Sequence, residues 1–268
     1  MCGADRNQSR HRFLRELRAG PEGIMTAVED TPFARKLSAF VALSKAELAV
    51  LEGLHQRRRA FVAGRDLVHQ GQSAQAAYIL SSGWVCSYKI QPDGTRQIVD
   101  FQVPGDFLGL RSVLLRTSDH SFEPIIDSQA VQVMASDLLR AFADTPRLAT
   151  AILWAASRDE AMVVEHLVGI GRRDADARMA HFLLELGSRL ALVGLGTKQG
   201  YDCPLTQYHL ADALGLSAVH VNRVLRQLRE SGLVTFRDGH VTFHDHARLA
   251  DLAGFDPTYL DQTGPLLK

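Results

Sequence analysis

Between Leu205 and Gly232 the chain reads LTQYHLADALGLSAVHVNRVLRQLRESG, and its apolar positions fall into two short blocks of helical period. Leu210, Ala211 and Leu214 give the first block one apolar face, and Val221, Val224, Leu225 and Leu228 give the second another. Thr206 predicts the N-cap of the first helix, with Leu205 and Leu210 placed as a hydrophobic staple. Gly215 suits a left-handed turn, and Ser217 predicts the cap of a second helix starting at Ala218. The outer face of that helix carries Val219, His220, Asn222, Arg223, Arg226 and Arg229. After Gly232, Leu233 to Phe236 and His240 to Phe243 alternate as strands around the turn Asp238-Gly239. Two helices about a tight turn, followed at once by a hairpin, predict a winged helix-turn-helix, whose second helix can enter the DNA major groove. A surface helix pair with a solvated charged face shows the same first half, and the hairpin is what favours DNA.

Upstream the period changes twice. Thr31 to Leu54 has a helical pattern, with Phe33, Leu37 and Phe40, then Ser44 as a cap and Leu48, Leu51 and Leu54 on one face. From about Arg57 short runs are separated by turns at Gly64, Gly71, Gly83, Asp93-Gly94 and Gly105-Asp106. Trp84, Cys86, Tyr88 and Ile90 alternate against Val85, Ser87 and Lys89; Ile98 to Val103 and Val131 to Ala135 are further strands. This predicts an antiparallel β-roll or small barrel. Ser136 is placed to cap a short helix, and Thr145-Pro146 to open a longer one. Along the latter, Ala149, Leu153, Ala156, Glu160, Val163, Leu167 and Ile170 form a heptad-like seam broken by one acid, which in a dimer would set register or pair with a cation across the seam, such as Arg158. A single helix lying on a sheet would show the same stripe. Gly169 and Gly171 are expected to interrupt that helix as a hinge before Arg172-Arg173. Met179, Leu183, Leu186, Leu190 and Val193 then mark another helix, Gly194, Gly196 and Gly200 a loop, Asp245 the cap of a last helix with Leu249 and Leu252, and the residues from Asp256 a peripheral tail.

Charge sharpens the picture. The 268 residues carry 30 Lys and Arg against 30 Asp and Glu, so DNA affinity has to come from local placement of cations. Cys2, Cys86 and Cys203 are scattered without ligand spacing, which favours a reducing compartment over a disulfide framework or zinc module. The basic start, with Arg6, Arg10, Arg12, Arg15 and Arg18, lacks the apolar centre of a signal peptide, and no apolar run is long enough to span a membrane. A cytoplasmic protein is expected, with residues 1–30 as a disordered tail.

The run SAVHVNRVLRQLRESGLV with VTFRDGHVTF resembles the DNA-binding domain of the Crp/Fnr family of bacterial transcription regulators. Upstream, GWVCSYKIQPDGTRQIVDFQVPGDFLG resembles the cyclic-nucleotide-binding-type sensor domain of the same family. The resemblance implies an α+β chain of two domains. A jelly-roll sensor over 31–143 leads through a dimerisation helix and hinge over 144–171 to a winged helix-turn-helix over 172–268. It also implies a homodimer on an inverted-repeat operator and an encounter with RNA polymerase. The dimer seam would be Leu153, Ala156, Glu160, Val163 and Leu167. Base-reading positions fall on Val219, Asn222 and Arg223, flanked by Ala218 and His220. Arg223 suits guanine, and Val219 stands where a Glu is frequent and offers a thymine methyl a contact. Thr206, Ser217, Arg226 and Arg229 are assigned to phosphates.

In relatives that bind a cyclic nucleotide, a helix N-terminus and a cation hold the phosphate and a carboxylate takes the ribose. Here the cassette runs Gly109-Leu110-Arg111, with Leu110 in place of the Glu, and His120-Ser121 replaces the downstream Arg-Ser/Thr pair. Arg111 and Arg116 are the substitutes at hand. A degenerate pocket follows, and control by cAMP is not expected; a nucleotide-responsive regulator is the alternative. Three scattered cysteines do not supply the four thiolates of an Fe–S cluster, and neither haem nor zinc has a signature. A cupin-like metal enzyme would need a histidine cluster, whereas His69 and His120 stand alone, so no enzyme is expected. A winged domain that binds protein is the third class, disfavoured by the cationic face from Asn222 to Arg229.

Overall fold

Capping begins the first two helices where the sequence places them. The computed structural model describes residues 27–73, 76–113, 115 and 117–260. Helix α1 (Pro32–Ser38) starts at Thr31, whose hydroxyl oxygen accepts from the Ala34 N–H at 3.3 Å. Helix α2 (Lys45–Leu54) starts at Ser44, which forms a reciprocal capping box with Glu47. Val28–Asp30 is already a 3₁₀ turn, which corrects the expected tail of residues 1–30; residues 1–26 lie outside the described part.

Seven strands follow: β1 (Arg58–Phe61), β2 (Ala76–Ser82), β3 (Val85–Ile90), β4 (Arg96–Gln102), β5 (Phe107–Leu108), β6 (Ser121–Pro124) and β7 (Ser128–Met134). They form two antiparallel sheets, in the orders β1-β7-β2-β5 and β4-β3-β6. Val68, Leu80, Val85, Leu108, Phe122 and Ala130 make one small core. Ala77, Ile79, Val131 and Val133 pack instead under α1, α2 and the long helix, against Phe33, Leu37, Leu51 and Ile152.

Helix α3 (Ala135–Asp144) is capped by the Asp137 carboxylate on the Met134 N–H at 3.2 Å, so its N-cap is Met134, two positions earlier than the expected Ser136. Helix α4 (Pro146–Arg172) opens on proline, but the Thr145 hydroxyl donates back to the Ala141 carbonyl rather than capping it. The predicted interruption at Gly169 and Gly171 does not occur. Backbone hydrogen bonds run through both, and the chain first becomes extended at Arg173. The Arg173 guanidinium stitches this exit to the helix about two turns back through the Glu165 carbonyl at 3.1 Å and its carboxylate at 2.6 Å.

Helix α5 (Ala175–Leu192) leads to β8 (Gly196–Thr197), β9 (Gly200–Asp202), α6 (Gln207–Leu214), α7 (Ala218–Glu230), β10 (Val234–Arg237), β11 (His240–Phe243) and α8 (His246–Ala253). The stretch read as a glycine loop is therefore a hairpin, and the wing belongs to a four-stranded sheet ordered β10-β11-β9-β8. Gly200 makes this possible: its φ is +151°, and a Cβ there would meet the Val241 carbonyl oxygen at 1.9 Å.

Two further expectations change in three dimensions. Residues Val85 to Tyr88 are buried on both faces, because Trp84, Cys86, Tyr88, Ile98 and Phe101 share a core with Met179, Phe182, Leu183 and Leu186 of α5. The DNA-binding half therefore sits directly on the sensor sheet. The segment after Asp256 is not peripheral either: Leu260 is buried, the Tyr259 ring stacks on His181, and its hydroxyl donates to Glu185 at 2.8 Å.

Candidate nucleic-acid interface

Helices α6 and α7 are built by their caps. The Thr206 hydroxyl oxygen accepts from the His209 N–H at 3.3 Å, and His209 Nδ1 accepts from the Thr206 N–H at 3.1 Å. Gly215 ends α6 with φ +63°, the left-handed turn that a residue without Cβ adopts at least cost. The Ser217 hydroxyl oxygen then accepts from the His220 N–H at 3.2 Å and starts α7. Val221, Val224 and Leu228 are buried against α5 and α6, so the opposite face is turned outward.

That face carries the residues the sequence singles out. Val219 is 81% exposed, and Asn222, Arg223, Arg226 and Arg229 are exposed; Ala218 and His220 are half-buried. Two of these side chains are pre-positioned within the helix. Arg223 Nη2 donates to His220 Nε2 at 2.7 Å, and Asn222 Nδ2 donates to the Ala218 carbonyl at 3.1 Å. The hairpin Asp238-Gly239, with φ of +52° and +79°, projects exposed Arg237 from the wing. Tyr208, two residues after the Thr206 cap and not singled out by the sequence, is 71% exposed on the first turn of α6.

The seam residues separate into two sets. Leu153 and Leu167 are 66% and 70% exposed, and Val163 and Glu160 are also exposed, while Ala156 is half-buried. Val164, Val168 and Ile170 extend the exposed apolar face. The expected partner for Glu160 is corrected: Arg158 is 5% exposed and turned into the molecule, its guanidinium 5.8 Å from the Trp154 ring. Helical periodicity explains it, since Arg158 follows the buried positions Ala151, Ile152 and Ala155.

The cassette of the sensor domain is occupied by its own side chains. Gly109 is left-handed and leads into a single 3₁₀ turn, Leu110–Val113, with Leu110 packed on the core beneath the helices. Arg111 is exposed and lies 3.4 Å from Asp119, whose carboxylate also takes His120 Nδ1 at 2.7 Å. Burial pushes the His120 imidazole down despite that carboxylate, so it is neutral at pH 7. The Ser121 hydroxyl oxygen accepts from the Gln70 N–H at 3.0 Å. Asp119, which the sequence reading passed over, sets a carboxylate between Arg111 and His120. Arg116 lies outside the described residues. An open cavity of about 200 Å³ in the roll is lined by Val68, Gln72, Ser73, Ala76, Tyr78, Gln132 and Met134, with no charged side chain among them.

Burial raises the Cys86 and Cys203 thiols to about 12, so both are protonated at neutral pH. Among the described residues no three His, Cys, Asp or Glu side chains converge as a metal site, and no helix is long and apolar enough to cross a membrane.

Residues 177–252 match the Crp-like helix-turn-helix domain and residues 58–145 the cyclic nucleotide-binding domain. The nitrogen fixation regulation protein FixK of Bradyrhizobium diazoefficiens is 32% identical over 212 residues, 79% of this chain and 88% of that protein. The fumarate and nitrate reduction regulatory protein of Vibrio cholerae is 25% identical over 215 residues, 79% of this chain and 84% of that one. The structure of FixK2 from Bradyrhizobium japonicum superimposes with a TM-score of 0.67 at 28% identity, covering 74% of this chain and 98% of its own. With a capped helix-turn-helix, a wing and a sensor roll in one order, and relatives matched across most of their length, the chain belongs to the Crp/Fnr family of DNA-binding transcription regulators.

Proposed function

We propose that the chain works as a cytoplasmic homodimer that reads an inverted-repeat operator and responds to no cyclic nucleotide. The observation that carries this is the outward face of α7, where Val219, Asn222, Arg223, Arg226 and Arg229 stand exposed on a helix whose other face is buried. The exposed stripe of Leu153, Val163 and Leu167 on α4 supplies the surface on which two copies pair. Two recognition helices then enter successive major grooves about 34 Å apart.

Arg223 takes guanine O6 and N7, Asn222 contacts a base edge, and Val219 meets a thymine methyl, with Ala218 and His220 beside them. Thr206, Ser217, Arg226 and Arg229, joined by Tyr208, hold phosphates. Contact with RNA polymerase follows for a regulator of transcription, and no enzymatic step is part of the reading. Neither is a resident Fe–S, haem or zinc group: three scattered cysteines fall short of the four thiolates of an Fe–S cluster, and neither haem nor zinc has a signature in the sequence. Independence from cAMP is supported by Leu110 packed against the core, neutral His120 and the Asp119 carboxylate beside Arg111.

Selection of DNA sites from a random pool by the purified protein, with and without cAMP or cGMP, tests this. Palindromic enrichment that is the same in both arms is expected. Enrichment only with nucleotide would overturn the reading of the cassette, and none in either arm would favour a missing effector or a protein partner.

A further inference from the structure

The DNA-binding half is clamped to the sensor roll by buried charge as well as by apolar contact. Arg189 of α5 is buried, and its Nη1 donates to Asp100 Oδ1 of β4 at 2.9 Å. Its Nη2 donates to Asp106 Oδ2 and to the Phe101 carbonyl, both at 2.8 Å. Asp106 is shared with the N-terminal helix, since its Oδ1 accepts from Lys36 Nζ at 2.8 Å; that ammonium also reaches Asp159 of α4 at 3.4 Å. One turn back on α5, buried Glu185 pairs with His166 of α4 at 2.8 Å. At the rim, Arg96 Nε donates to Asp212 of α6 at 2.9 Å, and Gln97 Nε2 donates to the Ala213 carbonyl at 3.2 Å.

The two kinds of contact do different work. Burial of Trp84, Ile98 and Phe101 against Phe182 and Leu183 is non-directional and is satisfied over a range of orientations. A buried guanidinium is not so tolerant. Any shift of α5 that separates Arg189 from Asp100 and Asp106 leaves its guanidinium unpaired where little water reaches it, so the ion pairs select one docking among those the apolar core allows. Helix α7 packs on α5 and α6, so the same selection sets where the recognition helix points relative to α4.

We infer that Arg189 is a positioning residue that fixes the half-site spacing this regulator accepts, by locking the DNA-binding half to the roll and long helix through Asp100 and Asp106. The inference rests on the homodimer reading above. In a dimer paired along α4, the lock sets both the separation and the rotation of the two recognition helices. Each base pair added to the operator centre moves the half-sites apart by about 3.4 Å and turns them by about 34°.

The test measures binding of the full-length protein to duplexes carrying the selected half-sites at the preferred spacing, at spacings one and two base pairs longer or shorter, and as a single half-site. For the wild type a one-base-pair change weakens binding about tenfold, and for Arg189→Met this preference shrinks to about twofold while single-half-site binding is retained. A cooperative melt of Arg189→Met establishes that it is folded. Should it not fold, Asp100→Asn leaves Arg189 its Asp106 partner and is expected to loosen the preference part of the way. A folded variant that keeps the wild-type spacing preference overturns the inference, as does equal weakening on every duplex including the single half-site. A wild type that is monomeric, or binds one half-site as tightly as any palindrome, removes the dimer reading itself.

Discussion

The outer face of α7 and the junction under Arg189 hold opposite kinds of charge. On α7 the cations stand toward water, Arg226 and Arg229 exposed and Arg223 held by a neighbouring imidazole. At the junction Lys36, Asp106, Glu185 and Arg189 are buried, each with more than one partner from another element. Charge left in water is available to a phosphate or a base and contributes little to stability. Charge taken out of water specifies geometry, and removing one partner is costly because the other is stranded.

The contrast is sharpest in stability. Asp106→Ala takes from Lys36 and Arg189 the buried carboxylate they share, leaving them only Asp159 and Asp100 as ion-pair partners, and is expected to cost about 3–5 kcal/mol in chemical denaturation. A loss below about 0.5 kcal/mol, the range of ordinary surface substitutions, would erase the distinction between the two regions.

The junction also titrates. Burial alone would depress the His166 imidazole, but the Glu185 carboxylate outweighs it and, with Asp100, holds it up at about 9; Arg189 opposes them. Burial would likewise raise Glu185, yet His166 and Arg189 hold it down at about 2. His181, nearby on α5, is pushed down to about 4 by burial and the Arg173 charge. A folded imidazole value above the unfolded one, about 6.5, gives stability that is complete below about 6.5 and is lost as pH rises through the folded value. Melting temperature is therefore expected to fall between pH 7 and pH 10, and His166→Asn to flatten that slope. An unchanged slope in the variant would detach His166 from it.

On the recognition face the expected effects are smaller and appear only with DNA. Arg223→Ala costs about 1–3 kcal/mol against the preferred base pair and relaxes specificity there, with stability unchanged. Arg226→Ala weakens all sequences alike and lowers the salt slope by about 1. Binding titrations at several salt concentrations on matched and mismatched sites separate the two, and the reverse pattern would exchange their roles.

Local chemistry determined much of this from sequence alone. Thr206, Gly215, Ser217 and Asp238-Gly239 act through bonds to residues a few positions away, so the helix-turn-helix and its wing were legible in one stretch, with their exposed face. The same locality marked Leu110 and His120 as departures from the nucleotide-binding cassette, on which the proposed independence from cAMP rests. Distance along the chain hid the rest. The hairpin at Gly200 exists because β11, some forty residues on, supplies the strand beside it. Gly169 and Gly171 stay helical because α4 is held by packing that outweighs their weak helix preference, near 1 kcal/mol each. Arg189, Asp100 and Asp106 each read as an ordinary solvated charge. They become a lock only when α5 lies on β4, since pairs 83 and 89 positions apart leave no periodicity to read. The sequence by itself therefore determined the outward face proposed to meet DNA. Tertiary structure decided how that surface is held, because buried electrostatics depends on which distant residues share a place without water.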